Sequence, residues 1–171
     1  MLLLLHSSPE GPGRDAVNGL TRLQKLLFVV EQRLFPEQTA FYAYNFGPFN
    51  PQVNDALEAL KTRGILEGTA GSLSSAPTFD EVIAQAAGRA GPRPQNEVFR
   101  LNKRGHELAE QLRHSNDAYE HLFAHVAQVR EEYDKDDLLE RVYEENEPYT
   151  EHSVIKEKVQ ARRSLIKPTQ P

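Results

Sequence analysis

The sequence predicts a mostly α-helical α+β protein with a small β-ribbon and a helical C-terminal extension. Three observations support this fold class. Apolar residues recur at helical spacing in residues 20–34 and 51–63, two short β-favouring segments flank residues 68–96, and a long helical pattern begins at Asn102. At 171 residues, the chain has room for one domain and an appendage.

The first part of the chain is predicted to hold a short helix and two longer amphipathic helices. The four leucines after the first residue fit a short helix buried on the core. The apolar face of the second helix consists of Leu20, Leu23, Leu27, Val30 and Leu34. Thr21 and Gln24 have the spacing of a capping box at its start. Asn50 and Pro51 favour the start of the third helix, and Gly64 favours its end.

An aromatic-rich segment between the second and third helices predicts a short strand. Residues 41–46 alternate loosely, and Gly47 and Pro48 end the pattern. The turn that follows is predicted to be rigid, with the rings of Phe46 and Phe49 buried. An exposed Phe49 would instead be a docking residue for a partner.

A β-ribbon with a long connection is predicted in the middle of the chain. Residues 65–67 and 98–101 favour strands that pair with each other. The Gly-, Ala-, Ser- and Pro-rich segment between them, residues 68–96, exceeds the usual loop length of compact domains, and only residues 79–87 within it favour a short helix. A connection of this length indicates a functional or a disordered segment.

The C-terminal part of the chain is predicted to be helical. The pattern indicates one long helix over residues 102–130 and two shorter helices over residues 136–145 and 152–162. The apolar face of the long helix either packs against the same helix of a second copy or is covered by the two shorter helices. The pattern favours a homodimer.

Two helices followed by a β-ribbon and a further helix are typical of a winged-helix domain. We therefore predict a winged helix-turn-helix core over residues 1–107, in which residues 68–96 form a long wing or insertion, and a helical extension over residues 108–171. The stretch from Val98 to Gly105 fits a wing strand that runs directly into a helix.

The segment LTRLQKLLF, residues 20–28, followed by FGPF, residues 46–49, resembles the YwgA-like proteins of bacteria and archaea. More distantly, it resembles the SocA-like (Panacea) antitoxin domain. Residues 142–156 also resemble the YwgA-like C-terminal tail, whereas Phe46 stands where Tyr usually precedes Gly-Pro. The resemblance implies a winged-helix scaffold, often close to regulatory or defence functions, and no established chemistry.

The net charge of −5 is unevenly distributed along the chain. Residues 108–171 carry 9 basic and 14 acidic side chains, and a basic cluster precedes them. This cluster consists of Arg89, Arg93, Arg100, Lys103 and Arg104, opposed within its stretch only by Glu97. An acidic protein can therefore still present one basic edge to phosphates.

The winged-helix prediction leads to a DNA-binding hypothesis. In such a motif, the second helix enters the major groove and the wing contacts the backbone. The candidate residues are Gln52, Asn54, Lys61 and Arg63 on the helix, and Arg89, Arg93, Arg100, Lys103 and Arg104 in and after the wing. Asp55 and Glu58 lie on the same helix and would repel phosphate.

The expected function is that of a non-catalytic transcriptional regulator or antitoxin-like factor. The alternative is a protein-interaction module, or an accessory subunit of a defence or toxin-neutralising system, without direct DNA binding. The acidic residues of the third helix and the sequence pI of about 5.7 favour the alternative, whereas the basic wing favours DNA.

A histidine stripe offers a weak metal-binding candidate. His114, His121 and His125 lie within a narrow angle on the predicted long helix, beside Asp117. His121 and His125, four residues apart, could share one divalent metal ion. Two ligands are too few for a tight site, and a polar surface stripe is the simpler interpretation.

No catalytic motif is recognisable, so we expect no enzymatic activity and no cofactor. The chain has no Cys, no Gly-rich phosphate loop and no G-x-S-x-G sequence. Arg22 and Lys25 are interpreted as ordinary surface charges. No stretch approaches the roughly 20 apolar residues of a membrane span, and the lack of Cys fits a reducing compartment, so a cytoplasmic location is expected.

Overall fold

A computed structural model of the protein describes residues 1–7, 16–67 and 97–166. Its helices are α1 (Leu2–His6), α2 (Leu20–Leu34), α3 (Gln52–Thr62), α4 (Lys103–Arg113), α5 (Asp117–Tyr133), α6 (Leu138–Glu145) and α7 (Lys156–Ile166), with a 3-10 turn at Glu147–Tyr149. Its strands are β1 (Val17–Asn18), β2 (Tyr42–Tyr44), β3 (Gly47–Phe49) and β4 (Val98–Phe99). The mostly helical α+β prediction is therefore confirmed. The helix expected at residues 79–87 lies outside the described residues.

The segment that contains β4 lies between β1 and residues 65–67. β1 pairs with β4 in antiparallel register, with Val17 opposite Phe99. On the other edge, the carbonyl of Arg100 accepts a hydrogen bond from the backbone N–H of Glu67 at 2.8 Å. The predicted pairing of residues 65–67 with the returning strand is thus confirmed. β1 is an additional partner that its two-residue length hides from pattern analysis.

The N-terminal leucines form part of the core, as predicted. Leu3, Leu4 and Leu5 of α1 are buried, and α1 packs against both α4 and α5. α2 packs against α5 and α6, and α6 packs against α7. The other main core side chains are Val17, Leu23, Leu26, Phe28, Leu57, Phe99, Leu101, Ala109, Val126, Val129, Leu138 and Val142.

The capping box expected at the start of α2 is wrong. The N-cap of α2 is Gly19, at a φ of 89°, and no side chain caps this end. The N–H of Gly19 donates to the carbonyl of Glu97 at 2.7 Å, which extends the β1–β4 pairing by one residue. This pairing fixes the helix start at Leu20, so Thr21 already lies inside the helix and cannot act as its N-cap.

The turn expected at residues 46–49 is instead part of a β-hairpin. β3 pairs with β2 in antiparallel register, with Tyr42 opposite Phe49. Gly47 has a φ of 84°, and a β-carbon there would lie 3.1 Å from the ring of Tyr143. Phe46 and Phe49 are half-buried rather than buried, because the hairpin lies on the surface with its aromatic side outward.

The single long helix expected over residues 102–130 is wrong, since the chain forms two helices there. α4 ends at Arg113 and α5 begins at Asp117. The side chain of Asn116 accepts a hydrogen bond from the N–H of Tyr119 at 3.1 Å and so caps α5. Because both helices pack on α1 and α5 also packs on α2, much of the apolar face expected at a homodimer interface is covered within the chain.

Candidate functional site

The outward side of α3 carries amide and acidic side chains. Its outward positions are Gln52, Asp55 and Glu58, which are exposed, and Asn54, which is half-buried. Near the end of the helix, Nζ of Lys61 lies 3.5 Å from Oε1 of Glu97 and 4.0 Å from Oε1 of Glu58. Two carboxylates therefore already neutralise Lys61. Asp55 and Glu58, the two residues expected to repel phosphate, do face solvent.

Asn102 joins the end of α3 to the start of α4. Its side-chain N–H donates to the carbonyl of Gly64 at 2.8 Å, and its Oδ1 accepts from the N–H of Gly105 at 3.0 Å. A β-carbon on Gly105 would lie 2.6 Å from the carbonyl oxygen of Ile65. The sequence Asn-Lys-Arg-Gly thus caps α4 and lets this helix approach the ribbon closely.

The Asn102 contacts bring three exposed basic residues to one corner of the molecule. This basic corner consists of Arg63, at the end of α3, and Lys103 and Arg104, at the start of α4. In the part of the chain that the structure describes, the one carboxylate near Lys103 is that of the exposed Glu107, at 3.9 Å. Within the described residues, Arg63 and Arg104 have no carboxylate partner. The corner can therefore offer three positive charges to an anionic partner.

Arg100 is less available than the basic corner. It is half-buried, and its Nη1 lies 3.4 Å from Oε2 of Glu67 across the ribbon. The two remaining candidates of the predicted wing, Arg89 and Arg93, lie outside the described residues.

Two polar residues of the LTRLQKLLF segment are buried and hold the hairpin on α2. The side chain of Gln24 exchanges two hydrogen bonds of 3.0 Å with the backbone N–H and carbonyl of Asn50. Nζ of Lys25 donates to the carbonyl of Pro48 at 2.8 Å. The interpretation of Lys25 as a surface charge is therefore wrong. Burial lowers the pKa of Lys25 from 10.5 to about 7.

Asp134 accepts from two arginines at the end of α5. Nη2 of the fully buried Arg130 lies 2.6 Å from Oδ2, and Nε of Arg22 lies 2.5 Å from Oδ1. Arg130 also donates to the carbonyl groups of Leu4 and Ser7, at 3.1 and 2.7 Å. Arg22 is thus part of an internal ion-pair network that fastens α1 and α2 to α5, and its interpretation as an ordinary surface charge is wrong.

Three aromatic rings share the outer side of the β2–β3 hairpin, which we call the aromatic face. They belong to Tyr42, Tyr44 and Phe49, whose ring centroids lie 5.2 to 6.1 Å from one another. Tyr42 is 45% exposed and Tyr44 is 40% exposed. Because the register places Phe49 beside both tyrosines, the predicted docking residue is one member of a larger apolar surface.

The histidines of the predicted stripe lie at the end of α4 and on α5. His121 and His125 are both exposed on α5, and His114 contacts Glu110, with 3.0 Å between Nε2 and Oε1. Among the described residues, no three or more His, Asp or Glu side chains converge as metal ligands.

A different pair of histidines is in direct contact. Nδ1 of His6 lies 3.0 Å from Nδ1 of His106, and Nε2 of His6 lies 2.9 Å from Oε2 of Glu110. The two histidines are 100 residues apart in sequence, so no local pattern could have paired them.

Scans of protein-family models, curated proteins and solved structures find no match to this chain. The resemblance to the YwgA-like and SocA-like proteins therefore stays a prediction. In the part of the chain that the structure describes, no helix combines the length and the apolar character needed to cross a membrane.

Proposed function

We propose that this chain is a non-catalytic winged-helix-type protein that binds duplex DNA, with the basic corner as its phosphate-contacting surface. The observation that carries the proposal is the position of Arg63, Lys103 and Arg104 on adjacent ends of α3 and α4. The order of elements supports it, because α2 and α3 precede a ribbon whose returning strand leads into α4. In winged-helix domains, the helix before the ribbon and the ribbon itself contact DNA.

The charges of α3 determine which part of the helix would face DNA. Asp55 precedes Arg63 by eight residues, or about 12 Å along a helix axis. Approach by the C-terminal end of α3 brings the basic corner to the phosphates and keeps Asp55 away from them. Approach by the middle of the helix would bring Asp55 and Glu58 to the backbone. We therefore expect contacts dominated by phosphate, with little base readout from Gln52.

The proposal is tested by fluorescence anisotropy with mixed genomic duplex fragments. If the three basic side chains neutralise three phosphates, affinity should fall roughly 40-fold over a fourfold rise in salt. The double variant Lys103→Glu with Arg104→Glu should lose most of the binding at low salt. Arg100 is left unchanged, because a Glu at that position would face Glu67 and disturb the ribbon.

A charge-matched variant is the control. Lys135→Glu with Lys158→Glu changes the net charge equally at exposed positions beyond α5 and on α7. This control should bind like the wild type. Absence of binding at low salt, or equal losses in both double variants, would contradict a phosphate-contacting surface at the basic corner.

The aromatic face supports a second candidate function, that of a protein-interaction module or accessory subunit. Two half-exposed tyrosines packed on Phe49 form an apolar surface on the β2–β3 hairpin, and aromatic residues are enriched in protein interfaces. The variant Tyr42→Ser with Tyr44→Ser should release a co-purifying partner that the wild type retains. Phe35→Ser, which changes an exposed aromatic residue at the end of α2, is the control. Equal recovery of that partner by both variants would contradict this function.

We also propose that the chain forms a homodimer. Leu108 on α4 and Tyr119 on α5 keep part of their apolar surface exposed. Sedimentation equilibrium should give a mass above the 19.4 kDa of one chain, and Leu108→Glu should return it to that value. A monomer mass for the wild type would contradict the dimer.

A further inference from the structure

His6, at the end of α1, is held between two side chains of α4. Its Nδ1 lies 3.0 Å from Nδ1 of His106, and its Nε2 lies 2.9 Å from Oε2 of Glu110. The His6 side chain is only 16% exposed, and the ring of Phe123 packs 5.6 Å from its ring. The position of the His6 imidazole is therefore fixed from several sides.

Glu110 determines which nitrogen of His6 carries the proton. The Glu110 carboxylate also meets His114, with 3.0 Å between Nε2 and Oε1, and Arg113, with 3.8 Å between Nη1 and Oε1. An ionised carboxylate only accepts, so Nε2 of His6 is the donor. In the neutral form of His6, Nδ1 then has a free lone pair that faces Nδ1 of His106.

We propose that Nδ1 of His6 and Nδ1 of His106 bind one divalent transition-metal ion of the zinc class. Zinc–nitrogen bonds are about 2.0–2.1 Å long, which places two imidazole nitrogens on one tetrahedral ion about 3.3 Å apart. The two Nδ1 atoms are 3.0 Å apart, so they must part by a few tenths of an ångström, and both rings must turn until their lone pairs converge on the ion. Imidazole nitrogen suits zinc and copper, whereas calcium and magnesium require oxygen ligands.

The contact between His6 and Glu110 is the second element of the proposed site. A histidine that binds a metal usually donates its other ring N–H to a carboxylate, which orients the ring and makes the ligand more basic. Glu110 takes this position without being a ligand itself. His114 and Arg113 face the same carboxylate and hold it in place.

Metal binding requires one rearrangement of protons. Without metal, Nδ1–H of His106 donates to Nδ1 of His6. With metal, His106 carries its proton on Nε2 and presents a lone pair on Nδ1, so two neutral histidines bind the ion without net proton release. The protein supplies two ligands, and water can complete the coordination on the side where the half-buried His106 meets solvent. The affinity should therefore be lower than that of a site with three or four protein ligands. Among the described residues, the exposed pair His121 and His125 has neither such a close contact nor a carboxylate partner.

Calorimetric titration of the full chain with zinc chloride at neutral pH tests the proposal. We expect one ion per chain, little or no binding in His106→Gln, and roughly tenfold weaker binding in Glu110→Gln. His125→Gln is the matched control, since it removes an exposed histidine of α5, and it should bind zinc like the wild type. Thermal unfolding in the presence of a chelator establishes that each variant is folded.

Nitrogen-15 NMR of the histidine rings keeps the test informative if His106→Gln does not fold. In the wild type, zinc should move the His106 proton from Nδ1 to Nε2 and leave the signals of His121 and His125 unchanged. Unchanged His106 signals, equal zinc affinity in His106→Gln, or loss of binding in His125→Gln would each overturn the proposal.

Discussion

The ammonium nitrogen of Lys25 lies 2.8 Å from the carbonyl oxygen of Pro48, and only 2% of the residue is exposed. Burial lowers the pKa of Lys25 from 10.5 to about 7. Between these two values, the unfolded chain binds a proton that the folded chain does not. The free energy of unfolding therefore rises with pH across this window, and the destabilising effect of burying the charge is fully present below it.

Lys25→Met should remove this pH dependence. Between about pH 7 and 9.5, the free energy of unfolding of the wild type should rise relative to that of the variant by on the order of 3 kcal/mol, at about 1.4 kcal/mol per pH unit. Urea unfolding across this range measures the difference. The buried amino group of Met1, whose pKa is also lowered by burial, cancels because both proteins carry it. Parallel pH profiles would contradict a lowered pKa of Lys25.

Gln24→Met should destabilise the protein, although Gln24 belongs neither to the basic corner nor to the aromatic face. The substitution leaves the buried N–H and carbonyl of Asn50 without their partner, which should lower the free energy of unfolding by about 2–4 kcal/mol. Urea unfolding checks this value. Gln111→Met on the exposed side of α4 is the control and should change stability by less than about 0.5 kcal/mol. Similar effects of the two substitutions would argue against the paired hydrogen bonds.

The elements that the sequence predicts well are those with local signals. Three features depend on neighbours a few residues away. They are the apolar stripe of α2, the hydrogen bond from the N–H of Gln52 to the side chain of Asn50, and the end of α3 just before Gly64. The sequence does not indicate that Gln24 and Lys25 are buried, because their partners lie 26 and 23 residues further along the chain.

The break between α4 and α5 had a local signal that the apolar periodicity concealed. Ser115, Asn116 and Asp117 favour a helix start, but Leu112 and Tyr119 on either side continue one apolar stripe. A new helix begins after Asn116 because its side chain accepts a hydrogen bond from the N–H of Tyr119.

The candidate site was predictable only in part. Arg63, Lys103 and Arg104 stand out by charge, but 40 residues separate the first from the second. The predicted pairing of residues 65–67 with residues 98–101 brings them to one end of the ribbon, because Leu66 lies opposite Leu101 in antiparallel register. The hydrogen bond from Asn102 to Gly64, which fixes this contact, follows from no spacing rule. The contact between His6 and His106 is hidden for the same reason.

Gly105→Ala should destabilise the protein, against the usual effect in a helix. Alanine in place of glycine inside a helix normally stabilises it by about 1 kcal/mol. Here, the added β-carbon would lie 2.6 Å from the carbonyl oxygen of Ile65 and 3.0 Å from its Cγ2. We expect a loss of about 1–3 kcal/mol in urea unfolding, because backbone atoms must move to relieve the overlap. The sign is the test, since a more stable variant would contradict the close approach of α4 to the ribbon.

Arg130→Met should destabilise the protein and loosen the end of α1. Arg130 is fully buried, and its guanidinium binds Asp134 and the carbonyl groups of Leu4 and Ser7. Methionine fills a similar volume but removes the donor to both carbonyl groups, so that, among the described residues, the carbonyl of Leu4 keeps only the bond from the hydroxyl of Ser7 at 2.9 Å, and it leaves Asp134 with less positive charge. Breaking a buried ion pair in this way destabilises proteins by about 3–5 kcal/mol.

Hydrogen exchange locates the effect of Arg130→Met, and urea unfolding gives its size. The backbone amides of residues 5–7 should exchange faster than in the wild type, because the bonds from Arg130 no longer hold the end of α1. Arg104→Met is the matched control, since Arg104 is exposed and without a carboxylate partner among the described residues, and it should change stability by less than about 0.5 kcal/mol. If Arg130→Met is no more destabilising than Arg104→Met, or if exchange at the end of α1 is unchanged, then the leucines of α1 alone hold this helix on the core.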